Sequence, residues 1–139
     1  MPRKQVPDSR PNVLVVDDEA PIRQIARRML EAGGYEVHEA SNGLEAIKVV
    51  ESDRPVDLLV ADLNMPELSG DEMVRRIRQI QPDLKVLYLT GFIDRLMNAR
   101  PLWEGEAFLD KPFSTAELQE AVSLLCFGTI KGNDALKIH

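Results

Sequence analysis

Cysteine is nearly missing from this chain: the 139 residues include one, Cys126. That excludes an internal disulfide and a zinc cage built from thiolates. Histidine is almost as scarce, with only His38 and His139. The first falls on a half-polar strand and the second is the last residue, so neither is read as a metal ligand or a phosphodonor. No apolar run approaches the ~20 residues needed to cross a bilayer, and the first residues lack the apolar stretch of a secretory signal. A membrane protein is therefore excluded, and the expected location is the cytoplasm. Clustered basic charge is also lacking. With 17 basic and 23 acidic residues the net charge is −6. Residues 12–126 alone hold 12 basic and 21 acidic side chains, flanked by weakly basic ends. A sequence-independent grip on phosphate backbones needs the opposite balance, so direct nucleic-acid binding is not expected.

What remains is an ordinary globular composition, 44% hydrophobic and 29% charged. The length fits one domain, and such a chain buries roughly two-thirds of its unfolded surface without disulfides or a structural metal. Residues 1–11, with three prolines and no apolar periodicity, read as a disordered arm. Residues 12–126 read as the domain and 127–139 as a C-terminal tail. Within the domain, Asn12–Val16 is a short apolar run. Ile22, Ile25, Ala26, Met29 and Leu30 then recur at helical spacing behind Pro21, which suits a first helical turn. The same alternation repeats. Tyr35–Ala40 is half polar, as an edge strand would be, and Leu44, Ile47 and Val50 follow on a helix after Ser41, Asn42 and Gly43. Leu58–Ala61 precedes a capping-box signature, Ser69 with Glu72, and a helix carrying Met73, Val74, Ile77 and Ile80. Val86–Leu89 precedes a weaker helical segment around Ile93, Leu96 and Met97 that Pro101 should stop. Ala107–Leu109 precedes a second capping box, Ser114 with Glu117, and a helix carrying Leu118, Ala121, Val122 and Leu125, with Gly128 as its stop.

Five strand-helix pairs predict an α/β fold, a parallel sheet covered on both faces by helices. Strands 1, 3 and 4 are apolar throughout and belong in the centre; strand 2 is half polar and strand 5 is short, so both belong at edges. The doubly wound order 2-1-3-4-5 satisfies this. It places ligands at the carboxyl ends of the strands, beside the reversal of winding between strands 1 and 3. Those ends carry Asp17 and Asp18, then Asp62, then Thr90, then Lys111. Three carboxylates in one crevice raise one another's pKa unless a cation holds them ionised. Oxygen donors without His or Cys suit Mg²⁺, and Mn²⁺ would also be accepted. The threonine hydroxyl and the lysine ammonium are then partners for an anionic second ligand, for which lysine is a compact point charge.

These residues carry a resemblance. Val-Val-Asp17-Asp18-Glu19, Asp62-Leu-Asn-Met-Pro66 with Gly70, Leu-Thr90-Gly91, and Phe108-Leu-Asp-Lys111-Pro112-Phe113 occur in order along residues 12–126. Together they resemble the receiver domain of two-component response regulators, the CheY-like superfamily with its (βα)5 flavodoxin-like sandwich. The resemblance implies that Asp62 is the phosphoacceptor, taking a phosphoryl group from a phosphohistidine on a sensor histidine kinase or a histidine phosphotransfer protein. It implies that Asp17, Asp18, Asp62 and the backbone carbonyl of Asn64 hold Mg²⁺, and that Thr90, Lys111 and Phe108 bind the phosphoryl group and switch. Pro66, Gly70 and Pro112 shape the loops, and the Lys111–Pro112 bond is expected to be cis. The output would be a changed face formed by the fourth helix, fifth strand and fifth helix, shown to a downstream effector protein or to a second copy in a homodimer. Such a domain is a phosphorylatable switch, with only intrinsic self-phosphorylation and self-dephosphorylation, rather than an enzyme in the usual sense.

Two alternatives fit the sequence less well. A Mg²⁺-dependent phosphohydrolase working through an aspartyl phosphate usually shows an Asp-x-Asp pair after the first strand, whereas Asp17 and Asp18 are adjacent and the expected nucleophile follows strand 3. A nucleotide-binding fold lacks its Gly-x-Gly-x-x-Gly, since Gly33 and Gly34 follow a helix. The arginines Arg23, Arg27, Arg28, Arg75, Arg76 and Arg78 read as solvated helix faces. The stretch from Ile93 to Gly105 departs from the family's spacing by one residue, so the fourth helix is expected to be short or distorted, with Trp103 packed inward. Phe92, two residues after Thr90, is expected to slow self-dephosphorylation by its bulk. Only 13 residues follow position 126, too few for a DNA-binding output domain, so signalling by protein contact is expected. A free-standing regulator and a receiver taken from a longer kinase or regulator both fit.

Overall fold

A computed structural model of the chain describes residues 10–52, 54–91 and 105–128. The elements in order are β1 (Asn12–Val16), α1 (Ala20–Ala32), β2 (Glu36–Ala40), α2 (Gly43–Glu51), β3 (Leu58–Asp62), α3 (Gly70–Ile77), β4 (Lys85–Thr90), β5 (Glu106–Asp110) and a C-terminal helix (Thr115–Phe127). The sheet is wholly parallel with order β2-β1-β3-β4-β5, as expected from the polarity of the strands. The helical segment expected around Ile93, Leu96, Met97 and Pro101, together with Phe92 and Trp103, lies outside the described residues, as does most of the expected N-terminal arm and C-terminal tail.

The strand alternation divides the core between two layers. Leu14 and Val16 of β1 and Leu59 and Ala61 of β3 face one way, onto Ala46 and Val50 of α2 and Met73, Val74 and Ile77 of α3. Val13, Val15, Leu58 and Val60 face the other way, onto Ala26 and Leu30 of α1 and Leu118 and Val122 of the C-terminal helix. All five residues of β3 are buried, whereas β2 shows Glu36 to solvent and is half-buried at His38 and Glu39. Each fully buried Leu or Val contributes roughly 1.5–3 kcal/mol relative to exposure, so β1, β3 and β4 form a stiff base for whatever stands at their ends.

Several local expectations need correction. Ile25 and Leu44 sit on exposed flanks of α1 and α2; the buried stripe of α2 runs through Gly43, Ala46 and Val50 instead. Ile80 is exposed and lies beyond α3, which ends at Ile77. Pro82 disfavours helical backbone at Gln81, so the chain turns there. The box at Ser114 is complete, with Ser114 and Glu117 bonding each other's backbone N–H. The one at Ser69 is half made: Ser69 caps Glu72 N, but the Glu72 carboxylate pairs with Arg75 and Arg76. Gly128 ends the last helix at φ 76°, a left-handed position glycine fills without strain.

Two arginines also differ from expectation. Arg78 forms a 2.6 Å ion pair with Glu106 of β5, and Arg23 a 2.8 Å pair with Glu39 of β2. Helical periodicity marks both as surface positions. Their carboxylates lie on strands 28 and 16 residues away, and only the folded sheet brings them within reach.

Candidate functional site

Parallel pairing delivers the carboxyl ends of β1, β3, β4 and β5 to one edge of the sheet. The ladder extends past the strands: Leu63 N donates to Leu89 O at 3.0 Å and Lys111 N to Thr90 O at 2.9 Å. Those bonds fix the backbone that carries Asp62, Thr90 and Lys111. Asp17 follows β1 directly, its N–H reaching Ala40 O of β2.

One carboxylate oxygen from each of Asp17, Asp18 and Asp62 lies within 4.8 Å of the others. Asp17 is fully buried, Asp62 nearly so, and Asp18 is exposed. The Lys111 ammonium stands 3.5 Å from both Asp17 Oδ2 and Asp62 Oδ1. Asp17 Oδ1 accepts from Glu19 N at 2.9 Å, and Asp62 Oδ1 from Asn64 N at 3.2 Å. Asp17 Oδ2 is buried without a hydrogen-bond partner. A buried carboxylate oxygen so placed, beside two further carboxylates and no nitrogen or sulfur donor, fits a hard divalent cation.

The electrostatics refine the expectation of mutual repulsion. Burial is the largest cause raising the Asp62 carboxyl, which is pushed up to about 6 despite the opposing Lys111 charge; repulsion by Asp17 is smaller than either. Asp17 is likewise raised, chiefly by burial. Burial acts to lower Lys111, but Asp62 and Asp17 outweigh it and its pKa rises. Asp17 and Asp62 are thus held out of water by the sheet, with one ammonium offsetting part of their charge.

The remaining expected residues lie around this centre. Thr90 is fully buried at the end of β4, its hydroxyl donating to Gly91 O at 3.0 Å. Phe108 is half-buried on β5, with its ring centroid 5.5 Å from that of Tyr88. The Lys111–Pro112 peptide bond is cis. Asn64 and Pro66 are exposed in the loop after β3. Gly70 closes that loop against Asp62: a Cβ there would lie 2.7 Å from Asp62 O and 3.0 Å from Leu63 Cα. No side chain fits between them.

One contributor was missed. Arg23 Nη1 donates to Asp17 O at 2.7 Å, tying α1 to the acidic loop. An arginine five positions after an acidic pair, with a glutamate at the end of the next strand, is the available signal. It is visible only once β1 and β2 are known to be neighbours.

Known proteins share this fold. The family model described as "Response regulator receiver domain" matches residues 13–123. The response regulator MprA of Mycobacterium avium is 39% identical over 124 residues, which are 88% of this chain and 54% of that protein. The sensor kinase CckA of Brucella abortus is 38% identical over 112 residues, 79% of this chain and 12% of that protein. The chain therefore spans about half of the one and a small part of the other. Among solved structures, the response regulator TrrA of Thermotoga maritima, crystallised in complex with Mg²⁺-BeF, superposes with a TM-score of 0.73 at 36% identity, covering 83% of this chain and 98% of TrrA. Among the described residues no helix is long and apolar enough to cross a membrane.

Proposed function

The chain belongs to the response regulator receiver family, and from that premise we propose that residues 12–126 form a receiver unit whose Asp62 accepts a phosphoryl group from a partner's phosphohistidine. The observation that carries this reading is the shared ammonium. Lys111 stands 3.5 Å from Asp62 and from Asp17 at the carboxyl edge of a buried parallel sheet. A cation between two carboxylates in a site partly shielded from water is suited to steady charge on a transferring group.

In the proposed step an Asp62 carboxylate oxygen attacks phosphorus, a P–O bond forms, the P–N bond to the donor imidazole breaks, and that nitrogen keeps the electron pair. Asp17, Asp18, Asp62 and the Asn64 carbonyl would hold Mg²⁺, which supplies charge neutralisation on the phosphoryl oxygens. The likeness to TrrA, crystallised with Mg²⁺-BeF, supports that choice of ion. Lys111 neutralises a further oxygen. Thr90, whose hydroxyl is spent on the neighbouring Gly91 carbonyl, exchanges that bond for one to the phosphoryl group. Phe108, packed beside Tyr88, is the side chain on β5 that responds. New charge-assisted bonds available in only one arrangement shift the population toward it. A sensor histidine kinase or a histidine phosphotransfer protein is the donor on this reading, and an effector protein or a second copy of the chain reads the altered face.

The test is incubation with a small acyl phosphate and Mg²⁺, followed by intact-mass measurement. One phosphoryl group per chain is expected, lost in Asp62→Asn and in EDTA. Sustained hydrolysis of phosphate esters, with no phosphoprotein formed, would reject the reading.

A further inference from the structure

Arg23, in the first turns of α1, binds two elements at once. Its Nη1 donates to Asp17 O at 2.7 Å, and its Nε donates to Glu39 Oε1 at 2.8 Å. The side chain is 16% exposed. The Asp17 carbonyl belongs to the peptide that joins Asp17 to Asp18, so its orientation helps set the direction in which Asp18 leaves the strand. A guanidinium is a planar fork with fixed donor directions. Holding that carbonyl on one side and a β2 carboxylate on the other leaves the peptide little freedom to rotate. The opposite side of Asp17 is pinned by Glu19 N on Oδ1 and by its own N–H on Ala40 O.

Joining α1 to β2 does not explain the arrangement by itself. Arg27 Nη1 already pairs with Glu39 Oε2 at 2.8 Å. What Arg23 adds, and Arg27 does not, is the bond to Asp17. We propose that Arg23 is a positioning residue for the acidic cluster, fixing the Asp17–Asp18 peptide so that both carboxylates present themselves to one divalent cation. This rests on reading the cluster as a cation site, as above.

The sign of the effect separates positioning from plain electrostatics. Arg23 is a positive charge close to a cation site. If charge were all that mattered, its removal would tighten Mg²⁺ binding. Loss of a group that orients the ligands weakens binding, typically 10–100-fold for partners of metal-binding side chains.

The experiment is calorimetric Mg²⁺ titration of the full chain at fixed ionic strength, for wild type, Arg23→Gln, Arg23→Lys and Arg27→Gln, with denaturant unfolding of each in EDTA. Arg23→Gln is expected to bind Mg²⁺ about 10-fold more weakly. Arg23→Lys should recover part of the loss, since an ammonium reaches one of the two acceptors but cannot bridge both. Arg27→Gln removes a charge and a Glu39 partner without touching Asp17, and should bind as wild type does. Arg23→Gln that binds Mg²⁺ as tightly as wild type, or more tightly, overturns this inference alone. Wild-type protein that takes up no Mg²⁺ overturns the cation-site reading and this inference with it. If Arg23→Gln does not fold, Arg23→Lys against Arg27→Gln decides, equal affinities refuting the inference and weaker binding by Arg23→Lys supporting it.

Discussion

Arg78 Nη1 lies 2.6 Å from Glu106 Oε2, joining the residue that caps α3 to the first residue of β5. Glu106's side chain is 2% exposed and Arg78's 18%, and Arg78 Nη2 also donates to Leu84 O at 2.9 Å. Removing Arg78 takes an ion-pair partner from a carboxylate that water reaches poorly. Arg78→Met should therefore destabilise the fold by about 2–4 kcal/mol, as breaking a buried pair does. Urea unfolding measures it. The double replacement Arg78→Met with Glu106→Leu should be closer to wild type than either single change, and a double variant as weak as the sum of both would count against the account.

Gly70 should tolerate no side chain. Its missing Cβ leaves room for the Asp62 carbonyl, which would otherwise be met at 2.7 Å. Both contacts are backbone, so they cannot swing aside. Gly70→Ala should cost about 1–3 kcal/mol by overpacking, and should also weaken Mg²⁺ binding by displacing the end of β3. Unfolding and Mg²⁺ titration on the same sample test the two together.

Asp62 sets a pH dependence in the metal-free protein. Its carboxyl is raised to about 6, first by burial, so the folded chain holds a proton that the unfolded chain has already released. Its contribution to stability is then highest below the ordinary carboxylate range, falls as pH rises from about 4 to about 6, and levels off above. The loss assignable to this group is at most about 3 kcal/mol. In EDTA, Asp62→Asn should flatten the slope, leaving the part that the likewise raised Asp17 contributes, and be more stable than wild type at pH 7. An unchanged slope would assign the effect elsewhere.

Mg²⁺ should reverse the same penalty. At a free concentration about 100 times its Kd, a cation that binds only the folded chain adds about 2.7 kcal/mol. Asp18 offers a clean control, since its carboxylate is exposed and contributes little to the metal-free fold. Asp18→Asn should unfold like wild type in EDTA but gain much less from Mg²⁺. Thermal melts with and without the ion show whether it does.

Much of this was legible in the sequence, and the pattern of success is physical. Uninterrupted apolar runs at residues 13–16, 58–61 and 86–89 marked central strands because only a strand covered on both faces can bury every side chain. The polar interruptions at Glu36 and His38 marked an edge. The acids and the lysine were legible because they stand directly after such runs, where a parallel sheet must collect them. Periodicity failed where helices have two apolar flanks and only one is buried, as at Ile25 and Leu44. It also failed for Arg23 and Arg78, whose acidic partners sit on strands that the linear pattern cannot pair with them. The cause of the raised carboxyl pKa values is hidden from the sequence for a related reason: counting like charges foretells repulsion, but burial by the sheet is the larger effect.

The all-parallel order has a consequence for how the chain is made. Asp17 and Lys111 are 94 positions apart, and no strand between them can place its end correctly until its neighbour in the sheet has joined. A nascent chain carrying both acidic segments but not yet Lys111 has its carboxylates without their ammonium, and lacks the C-terminal helix that seals one side of the core. The complete constellation therefore comes into being only after synthesis has passed β5. A chain still emerging from the ribosome therefore lacks the full set of Asp17, Asp62 and Lys111, so the assembled cluster marks a domain whose synthesis has passed its last strand.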